Sequence, residues 1–124
     1  MLYEIKQVKQ DTPNRTKRWF MDHYFDLFVW QDKKDLITAF QLSYDKSFHE
    51  RAITWQKRGG YMHTRVDDGE ERADSQMSPI LVTDGVFDNR TVAEQFWDAA
   101  KEIDTDIRKF VYDKIMQFPA ERNY

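Results

Sequence analysis

Six polar and titratable side chains, spread over the β-like half of this sequence, have the residue types that bind ligands or transfer protons. An aspartate can act as a general base, a histidine as a general acid and an arginine as a clamp for an anionic group. The strand pattern described below predicts that the six share one face of a sheet. We therefore predict these ligand-binding candidates: Asp26, Gln41, Thr54, His63, Arg65 and Asp67.

The same residues allow two functions of different classes. In the predicted sheet Asp26 and Arg65 lie three strands apart, about 14 Å at the usual strand spacing, so they line one pocket only if the sheet curls. We expect a non-enzymatic binding or interaction domain that holds a small-molecule ligand or meets a protein partner. The alternative is a small enzyme whose cleft is lined by Asp26, His63, Arg65 and Asp67.

Four aromatic side chains lie at one end of the same predicted face. Exposed apolar patches of this kind mark binding surfaces or subunit contacts, and a twofold dimer covers such a patch with a second copy of itself. We therefore predict a homodimer with these interface candidates: Trp19, Tyr24, Phe28 and Trp30. The alternative is an internal cover, by the predicted strand 2–8 or the segment 69–78.

Several kinds of site are not expected. Without cysteine the chain has no thiol nucleophile, thiolate metal site or disulfide. The three histidines share no metal-ligand spacing, and the acidic run 67–71 lacks the alternating ligands of a calcium loop. The glycines at 59, 60, 69 and 85 form no phosphate-binding loop. We predict no metal and no cofactor.

Composition favours a single domain in the cytoplasm. The chain has 124 residues, 40% of them hydrophobic and 15% aromatic, which is enough to build one core. Its net charge of −3 argues against a nucleic-acid partner. The longest apolar runs are about four residues, far from the ~20 that a membrane span needs, and the start lacks the pattern of a secretory signal.

The elements that must position these side chains form a β-rich first part and a helical end. We predict one domain over 1–124, mainly β-sheet in 1–83 and with two helices in 88–118. Asp88 and Asp104 are placed as the residues that cap the two helices, and Thr91 with Glu94 offers an alternative capping box for the first helix. The predicted class is α+β: an antiparallel meander of about five to six strands with both helices packed on one face. The strands are predicted at 2–8, 17–21, 24–31, 36–45, 50–57 and 61–67, with a loop over 69–75 and a short edge segment at 79–83.

The registers follow from the turns. A two-residue turn at Gly59-Gly60, where glycine accepts a positive φ, predicts that Trp55 faces Thr64. Four-residue loops at 46–49 and 32–35 predict that Phe40 faces Trp55 and Leu27 faces Phe40. A slip by one residue in any of these registers would reverse every later face.

Five short stretches between residues 18 and 85 carry a resemblance of pattern that is expected to cover most of the chain. They read RWF at 18–20, YFDLFVW at 24–30, FQLSYDK at 40–46, VDDGE at 66–70 and SPILVTDG at 78–85. In these stretches the chain resembles small uncharacterised bacterial proteins. The resemblance implies a bacterial, cytosolic, stand-alone domain and attaches no activity, cofactor or catalytic residue.

Overall fold

A six-stranded antiparallel sheet and two C-terminal helices form the described part of the chain, which comprises residues 1–65 and 87–118 of the computed structural model. The strands lie in the sheet in chain order, and the predicted α+β class is confirmed. The predicted loop 69–75, the predicted segment 79–83 and the boundary at residue 83 lie outside the described residues. The elements are β1 (Tyr3–Glu4), β2 (Thr16–Met21), β3 (Phe25–Gln31), β4 (Ile37–Tyr44), β5 (Arg51–Gln56), β6 (Gly60–Arg65), α1 (Asn89–Ala99) and α2 (Thr105–Met116).

Both helices begin at the predicted aspartates. The Asp88 carboxylate accepts hydrogen bonds from the backbone N–H and the hydroxyl of Thr91, and Asp104 accepts from the N–H groups of Asp106 and Ile107. These bonds satisfy N–H groups that have no partner within their own helix. The predicted caps are therefore confirmed. Neither described helix has the length and hydropathy needed to cross a membrane.

The two helices pack on one face of the sheet, which we call the core face. The rings of Phe25 on β3 and Phe96 on α1 meet edge to face with centroids 6.1 Å apart. Trp55 on β5 meets Phe110 on α2 in the same way at 5.3 Å. The Tyr61 hydroxyl also donates to the backbone carbonyl of Lys114, 2.7 Å away, which ties β6 to the end of α2. The fully buried side chains of this layer include Phe20, Leu27, Val29, Phe40, Leu42, Ile53, Phe96, Val111 and Ile115.

Of the two central strand pairings, the one between β4 and β5 agrees with the predicted register and the one between β3 and β4 does not. Phe40 faces Trp55 across β4 and β5, as predicted. Between β3 and β4 the prediction was wrong by two positions, because Leu27 faces Leu42. The connection differs from the predicted four-residue loop, because Asp32 donates its backbone N–H to the Leu36 carbonyl at 2.9 Å and the register also shifts at an irregularity between Trp30 and Gln31. An even shift leaves each side chain on its predicted face.

The last hairpin differs in a way that reverses a face. Gly59 donates its N–H to the carbonyl of Gln56, so the turn is centred on residues 57–58, and Gly60 adopts a φ of 76°. Trp55 consequently faces Tyr61, and the predicted pairing of Trp55 with Thr64 is wrong by three positions. Because three is odd, every described β6 side chain lies on the face opposite to the predicted one.

The first strand is shorter than predicted. Tyr3 and Glu4 pair with β2, and Ile5 still donates its N–H to the Trp19 carbonyl at 2.8 Å. Gln7 then adopts a φ of 61°, which turns the chain away from the sheet. The Gln10 side chain then returns to the edge of β2: its Nε2 donates to the carbonyl of Lys17 at 3.0 Å, and its Oε1 accepts from the Lys17 N–H at 2.7 Å.

Candidate ligand-binding face

The sheet face opposite the helices, which we call the outer face, holds three of the six predicted ligand-binding residues. Gln41 and Thr54 are direct neighbours across β4 and β5, as the sequence predicted. The neighbour of Gln41 on β3 is Phe28, whereas Asp26 lies beside Ser43. Of the residues predicted to share this face, Gln41 and Thr54 are therefore the two that lie in one row with the Phe28 ring.

His63 and Arg65 lie on the core-face side, because the shift of three positions in the β6 register exchanges the two faces of the strand. The Nε2 atom of His63 is 2.7 Å from the Tyr44 hydroxyl, and its ring stacks on Phe87 with centroids 4.4 Å apart. Arg65 pairs with Arg51 on the neighbouring strand. Asp67 lies outside the described residues. The structure thus does not bring Asp26 together with His63 and Arg65, and these three side chains do not line one cleft.

Three of the four predicted interface residues form a continuous row on the outer face, which we call the aromatic strip: Trp19, Phe28 and Trp30. The Trp19 and Phe28 rings stack at 5.4 Å with 20° between their planes. Phe28 and Trp30 follow at 6.3 Å and 32°. All three rings are partly exposed. The alternation of β2 and β3 places them there, since each strand presents every second side chain to the same face.

Tyr24 is not part of the aromatic strip. It precedes β3, and its ring meets Phe25 edge to face at 4.9 Å. It lines a cavity of about 330 Å³ together with Gln95 and Ala99 of α1, on the side of the sheet that the helices cover. Burial, with a contribution from the charge of Asp45, raises the pKa of the Tyr24 hydroxyl above its ordinary value.

Carboxylates fix both indoles of the strip. Trp19 donates its Nε1–H to Asp26 at 3.1 Å, and Trp30 donates its Nε1–H to Asp11 at 3.3 Å. Asp26 also forms an ion pair with Lys46, whose Nζ is 3.3 Å from the carboxylate. Asp26 therefore holds the Trp19 ring in place while its charge is balanced by an ammonium group.

Two cations lie over the strip. The Lys17 Nζ is 5.0 Å from the Phe28 centroid and 5.9 Å from that of Trp30, and the Arg15 guanidinium carbon is 5.1 Å from the Trp30 centroid. Such cations are attracted to the electron-rich faces of aromatic rings. Arg15 also donates to Asp11 at 3.2 Å. Burial by itself would raise the pKa of Asp11, but hydrogen bonds from Arg15 and Trp30 bring it below its ordinary value.

The sequence contained a signal for only part of this arrangement. Lys17 is two residues from Trp19, so strand alternation alone places both on one face. Asp11 and Arg15 precede β2 in an irregular segment with no period that would assign them to a face. Lys46 lies in the turn after β4 and reaches Asp26 through its long side chain, a contact that no local pattern predicts.

The described residues contain no group of three or more His, Cys, Asp or Glu side chains arranged to hold a metal ion. The contacts seen on the outer face are ring stacking, hydrogen bonds and cations over aromatic rings. No family model, curated protein or solved structure matches the chain. The resemblance to small bacterial proteins therefore stays a prediction.

Proposed function

We propose that this chain is a soluble cytoplasmic binding domain that holds a small planar ligand on the aromatic strip of its outer face. The observation that carries the proposal is the stacked row of Trp19, Phe28 and Trp30, in which both indoles are fixed by carboxylates. Rings held in one orientation lose little freedom when a ligand stacks on them, which favours binding.

The polar side chains beside the strip indicate that the ligand has an edge that forms hydrogen bonds. Gln41 is the direct neighbour of Phe28, and Thr54 is the direct neighbour of Gln41. An amide and a hydroxyl next to a stacking surface are the few polar groups that orient a ligand in a mostly apolar site. The ligand would stack on the aromatic strip and direct its polar edge toward β4 and β5.

A second copy of this chain is the other occupant predicted for the same surface. Among the described residues the large hydrophobic side chains that are most exposed are Met1, Tyr3, Leu36, Phe48 and Trp97, none of them in the aromatic strip. Cations also lie over two rings of the strip, and a dry dimer contact would have to bury these charges. Both observations favour a small ligand over a dry dimer contact.

A fragment titration tests the proposal. Adenosine and other uncharged planar heterocycles should quench tryptophan fluorescence and shift the amide resonances of β2 to β4. Trp30→Leu and Gln41→Ala should each weaken binding by about tenfold, roughly the effect of losing one stacked ring or one oriented hydrogen bond. Trp97→Leu is the matched control, since Trp97 lies on α1 outside the strip.

Two results would contradict the proposal. Binding that is unchanged in Trp30→Leu, with circular dichroism showing a folded variant, would exclude the strip as the ligand site. Sedimentation of a stable dimer that Trp30→Glu converts to a folded monomer would instead assign the strip to self-association.

A further inference from the structure

One end of the sheet concentrates positive charge. The start of β2, the turn between β3 and β4 and the turn between β5 and β6 all lie at this end, because alternate strands run in opposite directions. The segments 11–17, 31–38 and 56–60 carry six Lys and Arg residues against three Asp residues. The whole chain has a net charge of −3, so this end has the opposite sign to the protein.

A cavity of about 460 Å³ lies within this positive end. Among the described residues that line it, three side chains are cationic, two carry uncharged polar groups and none is acidic. The residues are Arg15, Thr38, Ala39, Gln56, Lys57 and Arg58. A concave surface lined by cations and uncharged hydrogen-bond donors is suited to an anionic group.

The unexpected turn between β5 and β6 places two of these cations. Because the turn is centred on Lys57 and Arg58, both residues project from the tip of the hairpin, not from within a strand. Lys57 also donates its backbone N–H to the carbonyl of Thr38 at 2.9 Å, which attaches the tip to the start of β4. The position of the tip beside Thr38 is thus fixed by the main chain.

Arg15 connects the cavity with the aromatic strip. Its guanidinium lies over Trp30 and binds Asp11 through one terminal nitrogen. Its Nε is buried and has no hydrogen-bond partner within the described residues. A buried N–H without an acceptor is unfavourable, and an anion in the cavity would supply one. The strip adjoins the cavity directly, because Trp30 pairs with Ala39 and Ala39 with Gln56.

We propose that this cavity binds the phosphate of a planar phosphate monoester, with a nucleoside monophosphate as the ligand class, while the planar part stacks at Trp30. The inference rests on the proposed function, which it extends from a planar ligand to an anionic one. Lys57 and Arg58 supply charge from the turn, and Arg15 supplies donors next to the stacked ring. The overall negative charge of the chain favours a small ligand over a polyanionic nucleic acid.

The test compares adenosine 5′-monophosphate, adenosine and inorganic phosphate by calorimetry and amide chemical shifts at low ionic strength. The monophosphate should bind about tenfold more tightly than adenosine, as expected for added charge-assisted hydrogen bonds. The double variant Lys57→Gln/Arg58→Gln should abolish this advantage and leave adenosine binding unchanged. Lys33→Gln/Lys34→Gln is the matched control: it removes two charges from the neighbouring turn and should keep the advantage.

The outcomes separate the two proposals. If adenosine binds in a Trp30-dependent way and the monophosphate binds no better, the phosphate cavity is excluded and the planar-ligand site stands. If adenosine and the other planar heterocycles fail to bind, the proposed function fails, and phosphate binding that is lost in Lys57→Gln/Arg58→Gln would still support the cavity as an anion site. A 5′-phosphorylated oligonucleotide that binds far more tightly than the monophosphate would overturn the assignment to a small ligand.

Discussion

The Tyr44 hydroxyl and the Nε2 atom of His63 lie 2.7 Å apart, so a hydrogen bond joins β4 to β6 diagonally across β5. Both rings also contact Phe87, the residue that precedes the cap of α1, with centroids 6.1 and 4.4 Å away. The shifted register of β6 makes this contact possible, because it places His63 on the core face. The Tyr44–His63 pair links the last strand of the sheet to the start of the helical layer.

Replacing Tyr44 by Phe should remove that hydrogen bond and preserve the packing. We expect a folded variant whose free energy of unfolding falls by about 1 kcal/mol, the typical net contribution of a hydrogen bond. The ring ¹⁵N resonances of His63 should shift, while those of the exposed His23 should not. Unchanged His63 resonances in a folded Tyr44→Phe protein would show that the hydrogen bond is not formed in solution.

Removing the Phe96 side chain should test whether the helices are integral to the fold. Phe96 is fully buried against Phe25, so Phe96→Ala should lower the free energy of unfolding by about 3–5 kcal/mol. Urea denaturation measures the change. Glu94→Ala on the exposed side of the same helix is the control and should be nearly neutral. An unchanged urea midpoint for Phe96→Ala would contradict the two-layer architecture.

The two glycines of the β5–β6 hairpin should respond differently to alanine. A methyl group at Gly60 would meet no atom within 4 Å, but the φ of 76° is strained for alanine, so Gly60→Ala should cost about 1–2 kcal/mol. Gly60→Asn should recover part of that loss. At Gly59 the new methyl group would lie 2.9 Å from the Gln56 Oε1, a flexible side-chain end that can move. A smaller loss in thermal stability for Gly60→Ala than for Gly59→Ala would argue against this turn.

This hairpin also shows why the site was only partly predictable from the sequence. Strand positions, helix caps and the pairing of Phe40 with Trp55 depend on local residue types and alternation, which the sequence displays directly. The register of β6 depends on which residues occupy the turn. Gly59-Gly60 favours a two-residue turn, and both Tyr61 and Met62 are apolar enough to face the core. The pattern therefore did not distinguish the two faces, and His63 and Arg65 were assigned to the wrong one.

The cap of α1 should give the protein a pH dependence in the acid range. Hydrogen bonds from the Thr91 hydroxyl and backbone N–H hold the pKa of the exposed Asp88 carboxyl below its ordinary value of 3.8. The folded state thus binds this proton more weakly than the unfolded state does. The stabilisation is present above pH 3.8 and is lost as the pH falls through the folded-state pKa.

Thermal unfolding measured from neutral pH to about pH 2 checks this expectation. Asp88→Asn keeps an oxygen acceptor at the cap but does not titrate, so its midpoint should fall less steeply with acid than that of the parent chain. Glu102→Gln, which removes an exposed carboxyl between the two helices, serves as the control. Equal slopes for the parent chain and Asp88→Asn would show that the cap does not contribute to the acid dependence.

The Gln10 side chain has a consequence for how this sheet meets other molecules. Because β1 ends at Glu4, the outward N–H and C=O of Lys17 would otherwise be an open template for a strand from another chain, the usual route to edge-to-edge aggregation. The Gln10 amide binds both groups and imitates one residue of a neighbouring strand. A single side chain thereby protects this stretch of the sheet edge against uncontrolled β-pairing, without the cost of ordering a longer strand.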